Sequence, residues 1–482
     1  MTGPLLSSTE PTRRIADWIH PRAELIEHIG GRARLLTSDD LLTLVQHRAD
    51  EWNRLELAEG ARVVIATGSR LGTLLDVAAA WELGLVPVLL SDSLAPEAYR
   101  ILTAHTAAAA VRATPAAART WTVLDSTRTV ASAEADSVLL DLRGAQDPAG
   151  RGGHGGPPLG AEPALVMATS GSTGLPKAVV HSRSSLVRNA GMHWSSVGAP
   201  EAGESYLLSQ SLFFSSAFVC GVLGPLTHGI RLNLLEPPFS VAAWAEAAQR
   251  GEITRTAFTP HLLLRVLAGP GLPGSLRQVT VGGDRLGRTA VGELRRSGVR
   301  DVCTTYGLTE AGPRVATNRL EGDPESWDTL GEPLAGVDFW LEERPSGPGE
   351  LMVRTPTAQA GHYRDGVFTA WPQGAPVPTG DLGEPAEDGS VRLVGRAHRV
   401  ASVSGEKVYL GLVERVLAEH PAVAAVRVRA DPSDGLLTAE VLSRGSAPLD
   451  ATEQRRWCRG RLRAVEIPRR FTAVNASVQL TK

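Results

Sequence analysis

Short apolar runs rich in valine, isoleucine and alanine alternate with helical patterns over most of this chain, and that alternation restricts the fold more than any other feature. Ala61 to Gly68 reads as a buried strand, Leu71 to Leu83 as a helix, Val86 to Leu90 as a strand and Pro96 to His105 as a helix. After a Gly- and Pro-rich connector, Gly144 to Gly160, a strand follows at Pro163 to Thr169 and the alternation runs on to about Gly307. Chains of this kind fold as parallel sheets covered by helices, because parallel neighbours need long crossovers. The pattern changes after Gly331. Short strands with Gly/Pro turns from Gly349 to Asp381 predict a small barrel or a distorted antiparallel sheet. A compact α+β unit begins near Ala397, with a hairpin to Val408, a helix near Leu412 to Glu419, two strands, and a helix near Glu453 to Arg463.

With 482 residues the chain can form two to four folding units. Its 49 basic and 52 acidic residues leave a net charge of −3, which gives no global attraction to nucleic acid or to an anionic membrane. Three cysteines, Cys220, Cys303 and Cys458, without CxxC spacing exclude a disulfide scaffold and a cysteine-built zinc site. The N-terminus lacks a signal-peptide pattern, and the longest apolar stretch, Leu212 to Leu226, is too short to span a bilayer. The expectation is a soluble cytoplasmic protein. Lysine occurs only at Lys177, Lys407 and Lys482, every other basic residue being arginine. Where lysine survives such a bias, a compact ammonium is a candidate requirement, with chance survival the alternative.

The strongest local signal is Thr169-Ser170-Gly171-Ser172-Thr173-Gly174-Leu175-Pro176-Lys177, which follows a buried strand. Glycines and small hydroxyl residues let backbone N–H groups and hydroxyls wrap phosphate oxygens, and a lysine adds charge. It is not a Walker A loop, since Pro176 stands where that pattern has glycine. This nonapeptide resembles the phosphate-loop signature of the adenylate-forming superfamily of acyl- and aryl-CoA ligases, peptide-synthetase adenylation domains and luciferases. Other motifs follow in order. Gly282-Gly283-Asp284-Arg285-Leu286 is similar to the adenine-site segment, and Tyr306-Gly307-Leu308-Thr309-Glu310 matches YGxTE. Gly349-Glu350-Leu351 with Gly361-His362-Tyr363 resembles GEL…GY, and Thr379-Gly380-Asp381 matches TGD. Gly395-Arg396 and Gly405-Glu406-Lys407-Val408 resemble the hinge and first loop of a mobile C-terminal domain.

The resemblance implies an α/β fold: residues 1–396 form a large N-terminal domain of two α/β subdomains plus a small β-barrel-like one, and residues 397–482 a mobile α+β lid. It implies an ATP- and Mg²⁺-dependent ligase that turns a small carboxylic acid into an acyl-adenylate. The acyl group then passes to the thiol of CoA or of a carrier protein's phosphopantetheine. Nothing resembles a fused carrier domain, so a stand-alone ligase, of the kind used in secondary metabolism, is expected. Asp381 suits the ribose diol, Tyr306 adenine, and Glu310 Mg²⁺. Thr309, Thr169, Ser170, Ser172 and Thr173 can donate to phosphate beside Gly171, Gly174 and Lys177, while Gly283, Asp284, Gly307 and Arg396 complete the nucleotide set. Lys407, with Gly405, lies in the loop that enters the site for the thiol step, after rotation about His398, where the family usually has Asp or Lys. A histidine hinge could make that rotation pH-sensitive, with a tolerated substitution the alternative. The family's C-terminal adenylation lysine falls near Lys482, which stands two or three positions early and without a preceding glycine. Either a short deletion places Lys482 in that role or the chain stops ahead of the true lysine.

Two substitutions bear on the acid. Ser211-Leu212-Phe213-Phe214 stands where many CoA ligases have PLFH, so Phe214 replaces a gating histidine. Ser216 stands where amino-acid-activating domains place an aspartate, which disfavours an α-amino acid. The expected pocket is Phe213, Phe214, Ser216 and Phe218 with Gly282 and Gly307, suited to an aryl or small apolar acid, plain core being the alternative for some of the rings. Adenylation with an amine acceptor, an oxyacid such as nitrite used with an arylamine, and a catalytically weak adenylate-binding protein remain open alternatives.

Overall fold

The computed structural model describes residues 14–122, 128–130, 137–143, 162, 164–170, 176–201, 203–284, 286–322, 327–342, 349–387, 389–396, 400–403, 406–431, 434–443 and 450–474. Two nine-stranded sheets dominate. In the first, Arg62–Ala66, Val86–Leu89, Ala110–Ala113 and Ala164–Ser170 form a parallel centre. The second has Glu24–Ile29, Arg231–Leu235, Ser205–Leu208, Arg255–Phe258, Gln278–Gly282 and Asp301–Tyr306 in parallel, with antiparallel strands at both edges. The mixed α/β class predicted from the alternation is the one observed.

The helix Arg70–Glu82 buries eleven of its residues, as a helix does only when it is enclosed on more than one side. Ser69 caps it by accepting the Gly72 N–H. Its Trp81 packs edge-on against Trp18 and Phe218, with centroids 5.7 and 6.3 Å apart. One apolar core joins this helix to Ile65 and Leu165 of the first sheet and to Leu208 and Leu232 of the second. Inside it, Asp76 is fully buried yet paired: it accepts from Trp52 Nε1 at 3.0 Å and lies 2.9 Å from Arg112 Nε. Arg112 also donates to Glu51 at 2.6 Å. A buried charge without such partners would be untenable.

The run of short strands after Gly331 divides in two. Asp338–Glu342, Gly349–Arg354, Val377–Pro385 and Val391–Arg396 make a four-stranded antiparallel sheet. Gly361–Arg364 and Val367–Ala370 instead extend the first large sheet, where Gly361 pairs with Val180 and Tyr363 with Ala178. Tyr363 is buried in the core of that sheet with Tyr99, Ala178 and Val180.

Beyond residue 400, Val400–Val403 and Glu406–Tyr409 form a hairpin. Val423–Ala430, Leu437–Ser443 and Arg470–Ala473 form a three-stranded sheet packed with the helix Leu410–Ala418. The helix expected to reach Arg463 covers Ala451–Cys458. It stops there because Arg459 is extended and Gly460 has φ +79°. Ala95, Ala98 and Ile101, on the helix Pro96–Thr106 and just before it, pack into this same C-terminal core.

Candidate active site

Ligands of open α/β sheets bind beyond the carboxyl ends of the strands, where the loops diverge. Three motif segments leave their strands there: Ser170, Gly282 and Tyr306 are each the last residue of a strand. The strands Ala164–Ser170 and Pro176–Ser182 pair antiparallel, with Thr169 opposite Lys177 and Ser170 opposite Pro176. They thus hold both ends of the Gly/Ser loop. Thr169 Oγ1 donates to Glu310 Oε1 at 3.1 Å, which ties the loop to the YGLTE segment of the other sheet.

Thr309 is fixed at both ends. Its hydroxyl pairs with Ser215 Oγ at 2.9 Å, and its carbonyl accepts from His181 Nε2 at 2.7 Å. A carbonyl cannot donate, so His181 carries its proton on Nε2, and its buried Nδ1 has no partner. Full burial pushes the His181 pKa down to about 4 and keeps the ring neutral. The Glu310 carbonyl accepts the Gln359 N–H at 2.9 Å.

Asp381, 3% exposed, accepts the Tyr306 hydroxyl at 2.6 Å. Its own N–H donates to Thr379 Oγ1 at 3.0 Å, and the Gly380 N–H to Glu350 Oε1 at 3.2 Å. The TGD turn is therefore clamped to the GEL strand. Arg396 stands opposite Asp381 across the paired strands. Two glycines allow close approach. A Cβ on Gly307 would collide with the Pro313 carbonyl and lie 3.0 Å from Arg314 Cα. On Gly282 it would lie 2.7 Å from Thr305 Oγ1 and 2.9 Å from Arg314 Nη1. Gly283 and Asp284 are exposed beside them. Lys177 is half-buried; burial, helped by the Lys177 and Arg364 charges, holds the His362 pKa below its ordinary value.

Gly171, Ser172, Thr173, Gly174, His398, Gly405 and Lys482 lie outside the described residues, and Lys407 stands opposite Ser402 in its hairpin. Of the aromatic pocket residues, Phe218 lies deepest. It is completely buried and packs edge-on against Trp81 in the core. Phe214 is half-buried against the same core, its centroid 5.6 Å from that of Phe213. Phe213 borders a cavity of about 100 Å³ with Ser69, Arg70, Asp92, Ser211 and Pro237. Arg70 shapes its wall by donating to the carbonyls of Gln210 at 2.8 Å, Ser209 at 2.5 Å and Leu235.

Ser216 borders a different, tighter cavity of about 10 Å³, enough for a water. Its lining includes His193, Tyr206, Cys220, Gln278, Thr280 and Arg314. None of these neighbours of Ser216 belongs to the aromatic and glycine set expected from the sequence. Arg255, also on this wall, is satisfied by Glu204 at 2.8 Å and Gln278 Oε1 at 2.7 Å.

Among the described residues no group of three or more His, Cys, Asp or Glu side chains could hold a metal ion by itself. Glu310 offers one carboxylate, the donor set Mg²⁺ takes when phosphate oxygens and water complete the shell. The clamped Asp381, the hydroxyls of Thr169 and Thr309 and the glycine floor fit a nucleotide.

This fold and this set of residues define the adenylate-forming class. The chain belongs to the AMP-binding enzyme family, whose model matches residues 19–363. A 2-succinylbenzoate–CoA ligase from Geobacillus kaustophilus is 28% identical over 333 residues. That match covers 65% of this chain and 66% of the relative, just under two thirds of its length. An o-succinylbenzoate CoA synthetase from Bacillus subtilis, solved with its product analogue, superposes with a TM-score of 0.76 at 22% identity, covering 97% of this chain and 96% of that one. An amide bond synthetase from Marinactinospora thermotolerans gives 0.74 at 25% identity, over 96% and 95%. Among the described residues no helix is long and apolar enough to cross a membrane.

Proposed function

We propose that the chain activates a carboxylic acid with ATP and passes the acyl group to a thiol. The observation that carries this reading is the bond from Thr169 to Glu310, which brings the phosphate-loop strand and the YGLTE segment to one point, with the Tyr306–Asp381 pair on the same wall. In the first step a carboxylate oxygen attacks the α-phosphorus, the bond to the β-phosphate bridging oxygen breaks, and pyrophosphate leaves with that electron pair. In the second a thiol sulfur attacks the acyl carbonyl, AMP departs with its phosphate oxygen, and the thiol proton is lost to solvent.

In this reading Asp381 accepts the ribose hydroxyls, Tyr306 lies along the adenine, and Gly283, Asp284 and Gly307 border the base. Thr169, Ser170, Gly171, Ser172, Thr173, Gly174, Thr309 and Lys177 cradle the phosphates. Mg²⁺ bound at Glu310 supplies neutralisation of phosphate charge. Arg396 reaches the nucleotide from the hinge at His398, and Gly405 and Lys407 serve the thiol step. Lys482 supplies charge to the α-phosphate and acyl oxygens as they become negative. CoA is the favoured acceptor, because the similar chain from Geobacillus is a CoA ligase; a free-standing carrier protein is the alternative thiol. The test is pyrophosphate release from Mg·ATP over a panel of acids, run beside Lys482→Ala. Acid-dependent release that collapses in the variant supports the reading. Nucleotide binding without release for any acid sinks it.

An amine acceptor is the second reading, favoured by the likeness to the amide bond synthetase and by Phe214 in place of histidine. Mass spectrometry of the product formed with CoA and an amine together separates the two.

A further inference from the structure

Two different parts of the chain bury the helix Pro96–Thr106. Tyr99 and Leu102 belong to the core of the first large sheet, with Val64, Val111 and Val166. Ala98 and Ile101 stand three residues apart and so share a helix face. With Ala95 they pack into the C-terminal core that holds Leu412, Val416 and Leu417, and the three are only 0 to 5% exposed. Arg100, which bonds Glu97 at 2.6 and 2.9 Å, is also within reach of the Glu419 charge, just past the helix Leu410–Ala418. Alanine offers little apolar surface, so of the three only Ile101 brings a large side chain. A contact this small can be broken and remade, as contacts between domains often are.

The same contact locates the hairpin of Lys407. Arg463 bonds Glu406, the neighbour of Lys407, and its charge acts on the Tyr99 hydroxyl together with that of Asp92. Asp92 borders the cavity of about 100 Å³ along with Ser211 and Phe213. Two residues beyond Phe213, the Ser215 hydroxyl pairs with that of Thr309. A line of neighbours thus runs from the C-terminal hairpin to the candidate active site.

We propose that Ile101, with Ala95 and Ala98, is a seat that holds the C-terminal unit in its arrangement for acyl transfer, which makes Ile101 a positioning residue for the second step alone. This inference rests on the two-step reading above. There one unit serves both steps, with Lys482 in the first and Gly405 and Lys407 in the second, and so takes two placements. A contact made in only one placement shifts the balance toward it. The seated placement is the one that joins Glu406, through Arg463, to Tyr99 and Asp92.

The test follows the two steps separately, in single turnovers of the full chain, Ile101→Ser and Ile101→Val. The first is pyrophosphate release from Mg·ATP with benzoate, or with the panel acid that releases it fastest. The second is acyl transfer to CoA from the adenylate so formed. Ile101→Ser should slow transfer by about tenfold or more, as truncation of a buried isoleucine gives, and leave pyrophosphate release unchanged or faster. Ile101→Val should recover most of the transfer rate. A fall of both steps together, or an unchanged transfer rate, overturns the inference. Thiol labelling reads the seat without any acid and decides if Ile101→Ser does not fold. The three native cysteines are buried. A maleimide should react with Ala98→Cys far more slowly than with Val367→Cys, at a site 65% exposed, and Mg·ATP should speed the reaction at Ala98→Cys. Equal rates at the two sites in the free chain, or protection that Mg·ATP leaves unchanged, overturn the seat. No release with any acid, or no transfer to CoA, overturns the reading beneath it, while the labelling still decides the seat.

Discussion

On the nucleotide side of the site, Thr169, Thr309, Glu310, Tyr306 and Asp381 are each bonded to a neighbour at 2.6 to 3.1 Å. Beside Ser216, Arg314 is 7% exposed, more deeply buried than Tyr306, Thr309 and Glu310, and among the described residues no carboxylate pairs with it. The first wall is organised before any ligand arrives, so its binding energy is not spent on ordering side chains. The second leaves the Arg314 Nε without a hydrogen-bond partner. In the proposed reading the first wall meets the nucleotide.

Replacing a residue on the organised wall should cost rate or nucleotide affinity whatever the acid. Glu310→Gln keeps the shape and the Thr169 partner but removes the charge. It should lower the rate of pyrophosphate formation by about 10²–10³, the usual cost of a lost transition-state charge partner, and equally for every acid tested. A loss confined to some acids would break the contrast. Acid should weaken both walls through their histidines. The His181 pKa is depressed to about 4 against 6.5 unfolded, so between those values the unfolded chain binds a proton that the native one refuses. Stability is therefore full above pH 6.5 and falls toward pH 4, by up to about 3 kcal/mol from this group. His193 acts in the same direction. Denaturant titrations at pH 7.5, 5.5 and 4.5 should show the slope, and His181→Gln should flatten it. Asp381→Asn should raise KM for ATP by about tenfold or more, the worth of a charged hydrogen bond, with a smaller change in the acid preference.

The organised wall was legible in the sequence because its chemistry is written in backbone shape and short-range order. Gly307 and Gly282 are glycine because no Cβ fits, and Thr169 and Lys177 face each other because the hairpin requires it. The acid wall was not. Arg314 is one arginine in a chain whose 49 basic residues include only three lysines, so its type carried no signal, whereas the lysines stood out. Its surroundings, among them His193, Cys220 and Thr280, come from separate elements. Of the two readings open for Phe218, pocket or core, adjacent rings do not decide, whereas the helical turn after Phe214 sends it inward to Trp81. The joining of Gly361–Arg364 to the large sheet was equally invisible, since strand pairing over that distance leaves no local trace.

The most direct measurement is pyrophosphate release from Mg·ATP over monoacids and diacids, for the chain and for Glu310→Gln side by side. The account predicts release that requires an acid and falls about 10²-fold or more in the variant. Release without any acid, or release that survives Glu310→Gln undiminished, would contradict it.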